Sequence, residues 1–293
     1  MTREIVVGVD GSEQAATALR FALEEAAPDD AAVVAVLVWD LLDQVHADGG
    51  RRIDPDYDDQ HADAALRAAI EAAVGPEVAA SVGRRTVCDI ASRGLLEAAR
   101  DADLLVVGTR GLGGFRGLVM GSVSQQCLHH AEVPIAVVPT TGEHADRAAT
   151  GRIVVGVDGS DGARGALQWA LADGARRQAV VEVVHAWDLP VIYGPVIGAS
   201  PYDDTEDAAR RMLDAVVDEA VATAGTVTVE RTLVVGGPAA GLLDAAKGAD
   251  LVVVGRRGLG GFGRLLLGSV SENVARHAPC PVVVMAPEAD RTD

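Results

Sequence analysis

The sequence predicts two tandem α/β domains, each a doubly wound, five-stranded parallel sheet, and three observations carry that prediction. The chain repeats itself: residues 5–12, Ile-Val-Val-Gly-Val-Asp-Gly-Ser, return unchanged at 153–160, an offset of 148. Trp39-Asp40 returns as Trp187-Asp188 at the same offset, and Gly108-Thr-Arg-Gly-Leu-Gly-Gly-Phe returns as Gly255-Arg-Arg-Gly-Leu-Gly-Gly-Phe at 147. Each copy alternates short β-branched runs with apolar residues at helical spacing, the pattern of crossover-connected parallel strands. The length of 293 residues holds two domains of roughly 100–200 residues each. They are placed at 1–140 and 151–288, joined by a polar, Ala-rich linker around Thr140–Thr150.

Strand one is Ile5–Val9. After it Ala15, Ala18, Leu19, Ala22, Leu23 and Ala26 fall on one helical face, matched in copy two by Ala163, Ala166, Leu167, Ala170 and Leu171. Strand two spans Val33–Val38, or Val180–Ala186, and acidic, irregular segments follow at Asp40–Asp63 and Asp188–Asp207. Helices are expected over His61–Val74 and Ala208–Ala224, third strands over Arg84–Cys88 and Glu230–Val234, and short helices over Gly94–Arg100 and Ala239–Ala246. The fourth strand, Leu104–Val107 or Leu251–Val254, is continuously apolar, as in a sheet covered on both faces. The last helix, Ser122–His130 or Ser269–His277, precedes a Pro-led fifth strand at Ile135–Val138 or Val282–Met285.

Composition removes several classes of function. Lys and Arg total 25 against 43 Asp and Glu, a formal net charge of −18. A phosphate backbone or an anionic membrane surface would be repelled by such a chain, so neither nucleic acid nor membrane is expected as a partner. The longest apolar run, Ala31–Trp39, has nine residues, about half of a bilayer span. The N-terminus enters a strand directly, without the pattern of a secretory signal. Cys88, Cys127 and Cys280 are too few and too scattered for a disulfide framework or a zinc site. They read as buried, inert thiols, which fits a reducing cytoplasm.

Ligands of doubly wound sheets bind beyond the carboxyl ends of the strands, where strand order reverses. The strongest signal lies there. Gly108 and Gly111, then nine residues, then Gly121-Ser122 make a G-x2-G-x9-G-S pattern after strand four, and Gly255, Gly258 and Gly268-Ser269 repeat it. Glycines here permit positive φ and let backbone N–H groups approach an anion. The final Gly-Ser opens a helix whose N-terminus favours phosphate. Both loops carry Arg (Arg110 and Arg116; Arg256, Arg257 and Arg264) and no acid. The alternative is a plain turn followed by a capping box, Ser269-Val-Ser-Glu272 or its weaker twin Ser122-Val-Ser-Gln125. Other phosphate motifs fail. The one lysine, Lys247, is followed by Gly248, so no Walker loop exists, and the letters G-x-G-x-x-G at Gly258–Gly263 follow strand four instead of strand one and break at Arg116 in copy one.

The twin loops, the Val-Asp-Gly-Ser ends of strand one and the five-strand order resemble the universal stress proteins, in their tandem, ATP-binding, actinobacterial-like form. The resemblance covers both copies and implies the strand order 3-2-1-4-5. It implies that Asp10 and Asp158 lie against adenosine and its ribose, and that backbone groups near Val38 and Ala186 hold the adenine edge. By the same resemblance Gly108, Gly111, Gly121, Ser122 and Ser124 cradle ribose and phosphates, as do Gly255, Gly258, Gly268, Ser269 and Ser271. The implied cofactor is ATP, with or without Mg2+, and the implied role is a cytoplasmic stress-response or growth regulator, or ATP sensor. Fifth-strand pairing in the family makes a homodimer the expected assembly. Read alone, an Asp before Gly-Ser is also a good turn former, and that alternative stands beside nucleotide contact. Trp39 and Trp187 are expected to pack under the segment after strand two, and His185, in place of Leu37, is expected to be a core histidine bonded to a neighbour.

For catalysis the sequence offers neither a nucleophile with its base nor a metal-spaced His set, and His129-His130 has no companion at ligand spacing. The expectation is no enzyme, or at most weak ATP hydrolysis with Arg110 or Arg257 facing developing charge. A slow ATPase or nucleotide-transferring enzyme and a flavin-binding module are the competing readings.

Overall fold

A computed structural model describes residues 3–111, 119–139, 149–187, 201–259 and 266–286, with only the backbone of 201–204. The chain divides into two compact units, Met1–Asp146 and Arg147–Asp293, a division that falls inside the expected linker.

Unit one runs β1 (Glu4–Gly8), α1 (Glu13–Ala26), β2 (Ala32–Trp39), α2 (Asp59–Val74), α3 (Pro76–Ala79), β3 (Gly83–Cys88), α4 (Ala91–Ala98), β4 (Leu104–Gly108), α5 (Ser122–His130) and β5 (Ile135–Val138). Its strands order β3-β2-β1-β4-β5, all parallel. Unit two runs β6 (Arg152–Gly156), α6 (Asp161–Arg177), β7 (Val180–Trp187), α7 (Pro201–Val221), β8 (Thr228–Val235), α8 (Pro238–Ala245), β9 (Leu251–Val254), α9 (Ser269–His277) and β10 (Val282–Val284). Its order is β8-β7-β6-β9-β10, again all parallel. Both units therefore have the predicted order, which reverses between strand one and strand four. In each, the helices pack in pairs, α1 with α2 and α4 with α5, α6 with α7 and α8 with α9.

The helix boundaries moved for identifiable reasons. Helix α7 begins at Pro201 instead of Ala208, since proline suits the first helical position and the acids that follow suit a helix N-terminus. Helix α4 begins at Ala91 and carries Gly94 inside it. A Cβ at Gly94 would stand 2.7 Å from Val38 Cγ1, so the helix needs glycine to lie close on β2. The one-turn helix α3 has no periodicity to be predicted from.

Strands β4 and β5 are wholly buried, as the continuous apolar runs required. Edge strand β3 is exposed over Arg84 and Arg85, and Arg84 pairs with Asp63 at 3.0 Å. Charge on an edge strand discourages further strand addition. At the amino ends of the strands sit two buried carboxylates that sequence periodicity did not reveal. Glu25, 0% exposed, meets Arg3 at 3.0 Å; Asp173, its equivalent 148 residues on, meets Arg176 at 2.7 Å and Arg177 at 3.0 Å. The same end is tied by Asp103, which accepts from Glu4 N–H at 2.8 Å. Asp250 accepts from the N–H groups of Thr150, Gly151 and Arg152. Burial pushes the Asp250 carboxyl up, but the donors around it more than offset this and hold it below the usual range. No helix among the described residues is long and apolar enough to cross a membrane.

Candidate functional site

Strand one ends in a turn built by its own sequence. Gly11 and Gly159 take φ of +82° and +86°, a region open to glycine without steric cost. Asp10 Oδ1 accepts from Ser12 N–H at 3.0 Å, and Asp158 Oδ1 from Ser160 N–H at 3.0 Å. Ser12 and Ser160 then cap α1 and α6 by accepting from Ala15 N–H at 3.1 Å and Ala163 N–H at 3.3 Å. The two aspartates thus form the turn, and they also reach across to the glycine loop. Leu259 N–H donates to Asp158 Oδ2 at 2.9 Å, and a Cβ on Gly258 or Gly111 would lie 2.2 Å from Oδ2 of Asp158 or Asp10. Turn former and cleft wall are the same residue.

The glycine pattern is needed for close approach, which corrects the expectation of positive φ. None of Gly108, Gly111, Gly121, Gly255, Gly258 and Gly268 is among the positive-φ glycines. A Cβ at Gly108 would stand 2.9 Å from the Gln14 carbonyl, and one at Gly255 would stand 2.7 Å from the Gly162 carbonyl carbon. These two glycines let the end of strand four touch the first turn of the strand-one helix. A methyl there strikes backbone, not a ligand.

The capping-box alternative also gives way. The N-cap of α5 is Gly121 and that of α9 is Gly268, neither with a side chain to cap with, and Ser122 and Ser269 are already the first helical residues. The first N–H groups of these helices therefore point out toward the cleft without an intramolecular side-chain cap. Ser124 and Ser271, both buried, instead donate to the carbonyls of Gly108 and Gly255 at 2.6 and 2.5 Å. They fix the helix start against the strand end while still lining the cleft.

Strand two supplies the backbone wall. Val9 N–H donates to the Val36 carbonyl at 2.9 Å, and Val157 N–H to the Val184 carbonyl at 2.9 Å. Backbone polar groups alternate sides along a strand, so those of Val38 and Ala186 face the same way, beyond the end of strand one. The opposite parity serves the outer strand: Asp89 N–H donates to Trp39 and Gly236 N–H to Trp187, both at 2.9 Å.

In unit one a cavity of about 390 Å³ gathers all seven predicted residues, Asp10, Val38, Gly108, Gly111, Gly121, Ser122 and Ser124. In unit two a cavity of about 550 Å³ gathers Asp158, Ala186, Gly255, Gly258, Gly268, Ser269 and Ser271. Both volumes lie in the range of small-molecule sites. Arg110 and Arg257 line the respective walls. Leu95 and Leu242, which the sequence did not single out, form an apolar floor, and Gly8 and Gly156 make room for them, since a Cβ there would lie 3.0 and 2.8 Å from their Cδ1 atoms.

The segment after β2 adds Asp43, Val45 and Arg51 to the unit-one wall. It is a small hairpin: Val45 bridges Arg51, Gly49 turns at φ +77°, and Asp43 pairs with Arg51. Buried Gln44, His46 and Tyr57 pin it. The Gln44 side-chain oxygen accepts from Asp54 N–H at 2.6 Å, and the Tyr57 hydroxyl donates to the Val45 carbonyl. Trp39 packs beneath it as expected, edge-on to Tyr57 at 5.1 Å, with Nε1–H donating to Asp59 at 3.2 Å. The corresponding residues 188–200, like Arg116 and Arg264, lie outside the described residues.

His185 is bonded through Nδ1 to the Val157 carbonyl at 2.8 Å, the neighbour-bonded role expected of it. The thiols divide: Cys127 and Cys280 are buried, but Cys88, at the end of edge strand β3, is exposed, which corrects the reading of all three as buried. Burial pushes the Cys127 thiol up to about 12.

A family model described as the universal stress protein family matches residues 1–139 and 150–286. A universal stress protein of Mycolicibacterium smegmatis is 32% identical and aligns with 97% of this chain and 97% of its own. One of Mycobacterium tuberculosis is 31% identical over 96% of this chain and 95% of its own. Among solved structures, a universal stress protein from Archaeoglobus fulgidus covers 96% of this chain and 97% of its own with a TM-score of 0.66; at 21% identity the likeness is one of fold. With each strand-end cleft lying inside a stretch matched by that family model, and relatives aligned over nearly the full length, the chain belongs to the universal stress protein family.

Proposed function

We propose that each unit binds an adenine nucleotide, ATP first among them, in its strand-end cleft, and that occupancy rather than turnover is the output, as in a cytoplasmic sensor or regulator of stress and growth. One observation carries the reading. In each unit the cleft closes on a helix whose N-cap is a glycine, while a strand-two backbone edge, a strand-one carboxylate and an arginine stand around the same space. Uncapped N–H groups and a guanidinium suit phosphate. A strand edge offering a carbonyl and an N–H suits the donor and acceptor of an adenine edge. Asp158 Oδ2, which accepts from Leu259 N–H, has a second lone pair to offer a ribose hydroxyl. Mg2+ would travel with the triphosphate, keeping water and phosphate as most of its ligands.

Asp10 and Asp158 hold the turn and the loop, so they serve structure and contact better than they would serve as a base for water. Hydrolysis, if measurable, is then slow. Two free buried thiols and one exposed one fit a reducing compartment. A homodimer belongs to the same reading, and sedimentation at twice the chain mass of 30.1 kDa tests it.

The deciding experiment is to denature the purified chain, chromatograph the released small molecules, and titrate the nucleotide-free protein with ATP by calorimetry. Adenine nucleotide in the supernatant, or binding in the micromolar range (about −8 kcal/mol), supports the reading. The absence of both sinks it, and a yellow flavin chromophore would replace it. Turnover above about one per minute would move the protein toward the enzymes.

A further inference from the structure

Four large apolar side chains that face solvent belong to one end of unit one: Leu41, 74% exposed, Leu42, 81%, Ile53, 65%, and Ile90, 59%. The backbone brings them together. The chain after β2 and the chain after β3 leave the sheet side by side, with Asp89 N–H donating to the Trp39 carbonyl at 2.9 Å, and Ile90 follows beside the turn 40–43. The Gln44 side chain joins that turn to the residues around Ile53. Its Nε2–H donates to the Leu41 carbonyl at 3.4 Å, while its Oε1 accepts from Asp54 N–H at 2.6 Å. None of the four lines the cleft. Contiguous exposed apolar surface of this kind, rimmed by polar residues, marks an interaction site.

Local bonds hold the leucines outward. Leu41 and Leu42 are the middle residues of a turn in which Asp40 N–H donates to the Asp43 carbonyl at 3.1 Å and Asp43 N–H to the Asp40 carbonyl at 3.3 Å. The Asp40 carboxylate also accepts from the N–H groups of Leu42 and Asp43, at 2.6 and 2.8 Å. A turn tied at four points leaves a partner little ordering to supply. The fold does not ask for Ile90 either. Its counterpart in unit two is Gly237, and each is an N-cap without a side-chain hydrogen bond, Ile90 of α4 and Gly237 of α8.

Charge narrows the choice of partner. Asp43, Asp48 and Asp89 pair with Arg51, Arg52 and Arg93. Asp40, Asp54 and Asp56, the acids nearest in sequence to the two leucines and Ile53, meet no cation among the described residues, and Asp40 and Asp54 accept backbone bonds alone. A second copy of the chain would bring the same acids and a net charge of −18 to the contact, which opposes self-association through this face. A segment whose apolar side chains are flanked by Lys or Arg complements it.

We propose that this face of unit one is a docking surface for a basic amphipathic segment of another protein, with the four apolar side chains as its centre and Asp40, Asp54 and Asp56 as its rim. The connection 40–58 also walls the cleft through Asp43, Val45 and Arg51, so a docked partner rests on a segment that the contents of the cleft meet from the other side.

The test is fluorescence anisotropy of a labelled synthetic peptide, with Leu and Lys at amphipathic-helix spacing, titrated with the full chain at about 0.15 M salt. Saturable binding in the micromolar range is expected. Leu41→Ser combined with Leu42→Ser should weaken it about tenfold or more, with an unchanged melting temperature because both side chains are exposed in the parent. Val78→Ser, at another exposed apolar residue, should leave it as it was. Asp54→Asn combined with Asp56→Asn should weaken it about threefold and reduce its sensitivity to salt. Cys88, exposed at the end of β3 just before Ile90, locates the contact without a variant: bound peptide should slow its reaction with a chromophoric disulfide about threefold or more. No binding, binding equally tight in the leucine variant, or an unchanged Cys88 rate under saturating peptide overturns the proposal. So does equal binding of a peptide with Glu in place of every Lys, or binding untouched by the two Asn substitutions. A parent chain that self-associates, beside a leucine variant that does not, makes a second copy the occupant and overturns it as well.

Discussion

Alanine at Gly255 and alanine at Gly258 should fail in different ways, although the two glycines are three residues apart in one motif. Neither lies in the positive-φ region, so the added methyl acts through space alone. At Gly255 it would meet backbone: the Gly162 carbonyl carbon at 2.7 Å, its oxygen at 2.8 Å and Ala163 N at 3.0 Å. Those atoms begin helix α6, and relief requires the helix to move off the sheet. Overpacking of this kind costs about 1–3 kcal/mol, which for a unit of this size lowers the melting temperature by roughly 3–10 °C. At Gly258 the atoms nearest the methyl would be those of the Asp158 carboxylate, Oδ2 at 2.2 Å and Cγ at 3.3 Å, and a carboxylate can rotate away. Rotation breaks the bond from Leu259 N–H, 2.9 Å long, and loosens those from Ser160. Hydrogen bonds to a charged acceptor contribute about 1.5–3 kcal/mol when dry; at this partly exposed site about 1–2 kcal/mol is reasonable, or roughly 5–30-fold in nucleotide affinity. Calorimetry reads both quantities, the melting scan for stability and the titration for affinity. A Gly255→Ala protein that melts like the parent would refute the close-approach reading of that glycine. A Gly258→Ala protein with unaltered affinity would refute the role given to the carboxylate in shaping the loop.

Three further outcomes are expected. Asp250→Asn should destabilise the protein at pH 7 by about 1–2 kcal/mol, since four donors from Thr150, Gly151 and Arg152 lose an ionised acceptor. Because the folded carboxyl lies below its usual range, this contribution is full above about pH 4 and disappears as pH falls through the folded value; urea unfolding that shows the same gap at pH 2.5 would contradict it. Tyr57→Phe removes the hydroxyl that holds the Val45 carbonyl, and should weaken nucleotide binding at unit one by about threefold to tenfold, the equivalent of one hydrogen bond, without touching unit two. Thiol titration with a chromophoric disulfide should find one reactive group in the native protein, Cys88, and release Cys127 and Cys280 only on unfolding; three fast thiols would mean that the cores of both units open easily.

The architecture was legible because it is written twice and in the right periods. Buried parallel strands leave uninterrupted apolar runs such as Leu104–Val107, and Val-Asp-Gly-Ser joins each first strand to a capped helix, so the crossovers followed from the sequence, while the strand order came with the family resemblance. The glycines, serines and strand-one aspartate of each copy fall in one cleft because strand ends and helix starts are where these signals sit, and Val38 and Ala186, which the resemblance added, line it with them. What a glycine is for was not legible. A missing Cβ at Gly108 is compatible with positive φ, with an approaching ligand or with an approaching helix, and only the Gln14 carbonyl at 2.9 Å chooses among them. The unit-one hairpin was missed because irregular chain has no period, though Asp48-Gly49 is a turn signal and Val45 does bridge Arg51 across it.

The duplication helps most where the copies disagree. Both units build the same parallel sheet with the same helix pairs, so a residue that differs between them at the cleft is not required by the fold. Leu37 against His185 is absorbed by a bond to the Val157 carbonyl, outside the cleft lining. Thr109 against Arg256 is different in kind. Threonine serves unit one at a position where unit two buries a cation, and burying a cation is costly unless its surroundings return the energy. The Arg256 Nε–H donates to the Leu266 carbonyl and ties the two ends of the loop, a span beyond the reach of the short threonine side chain of unit one.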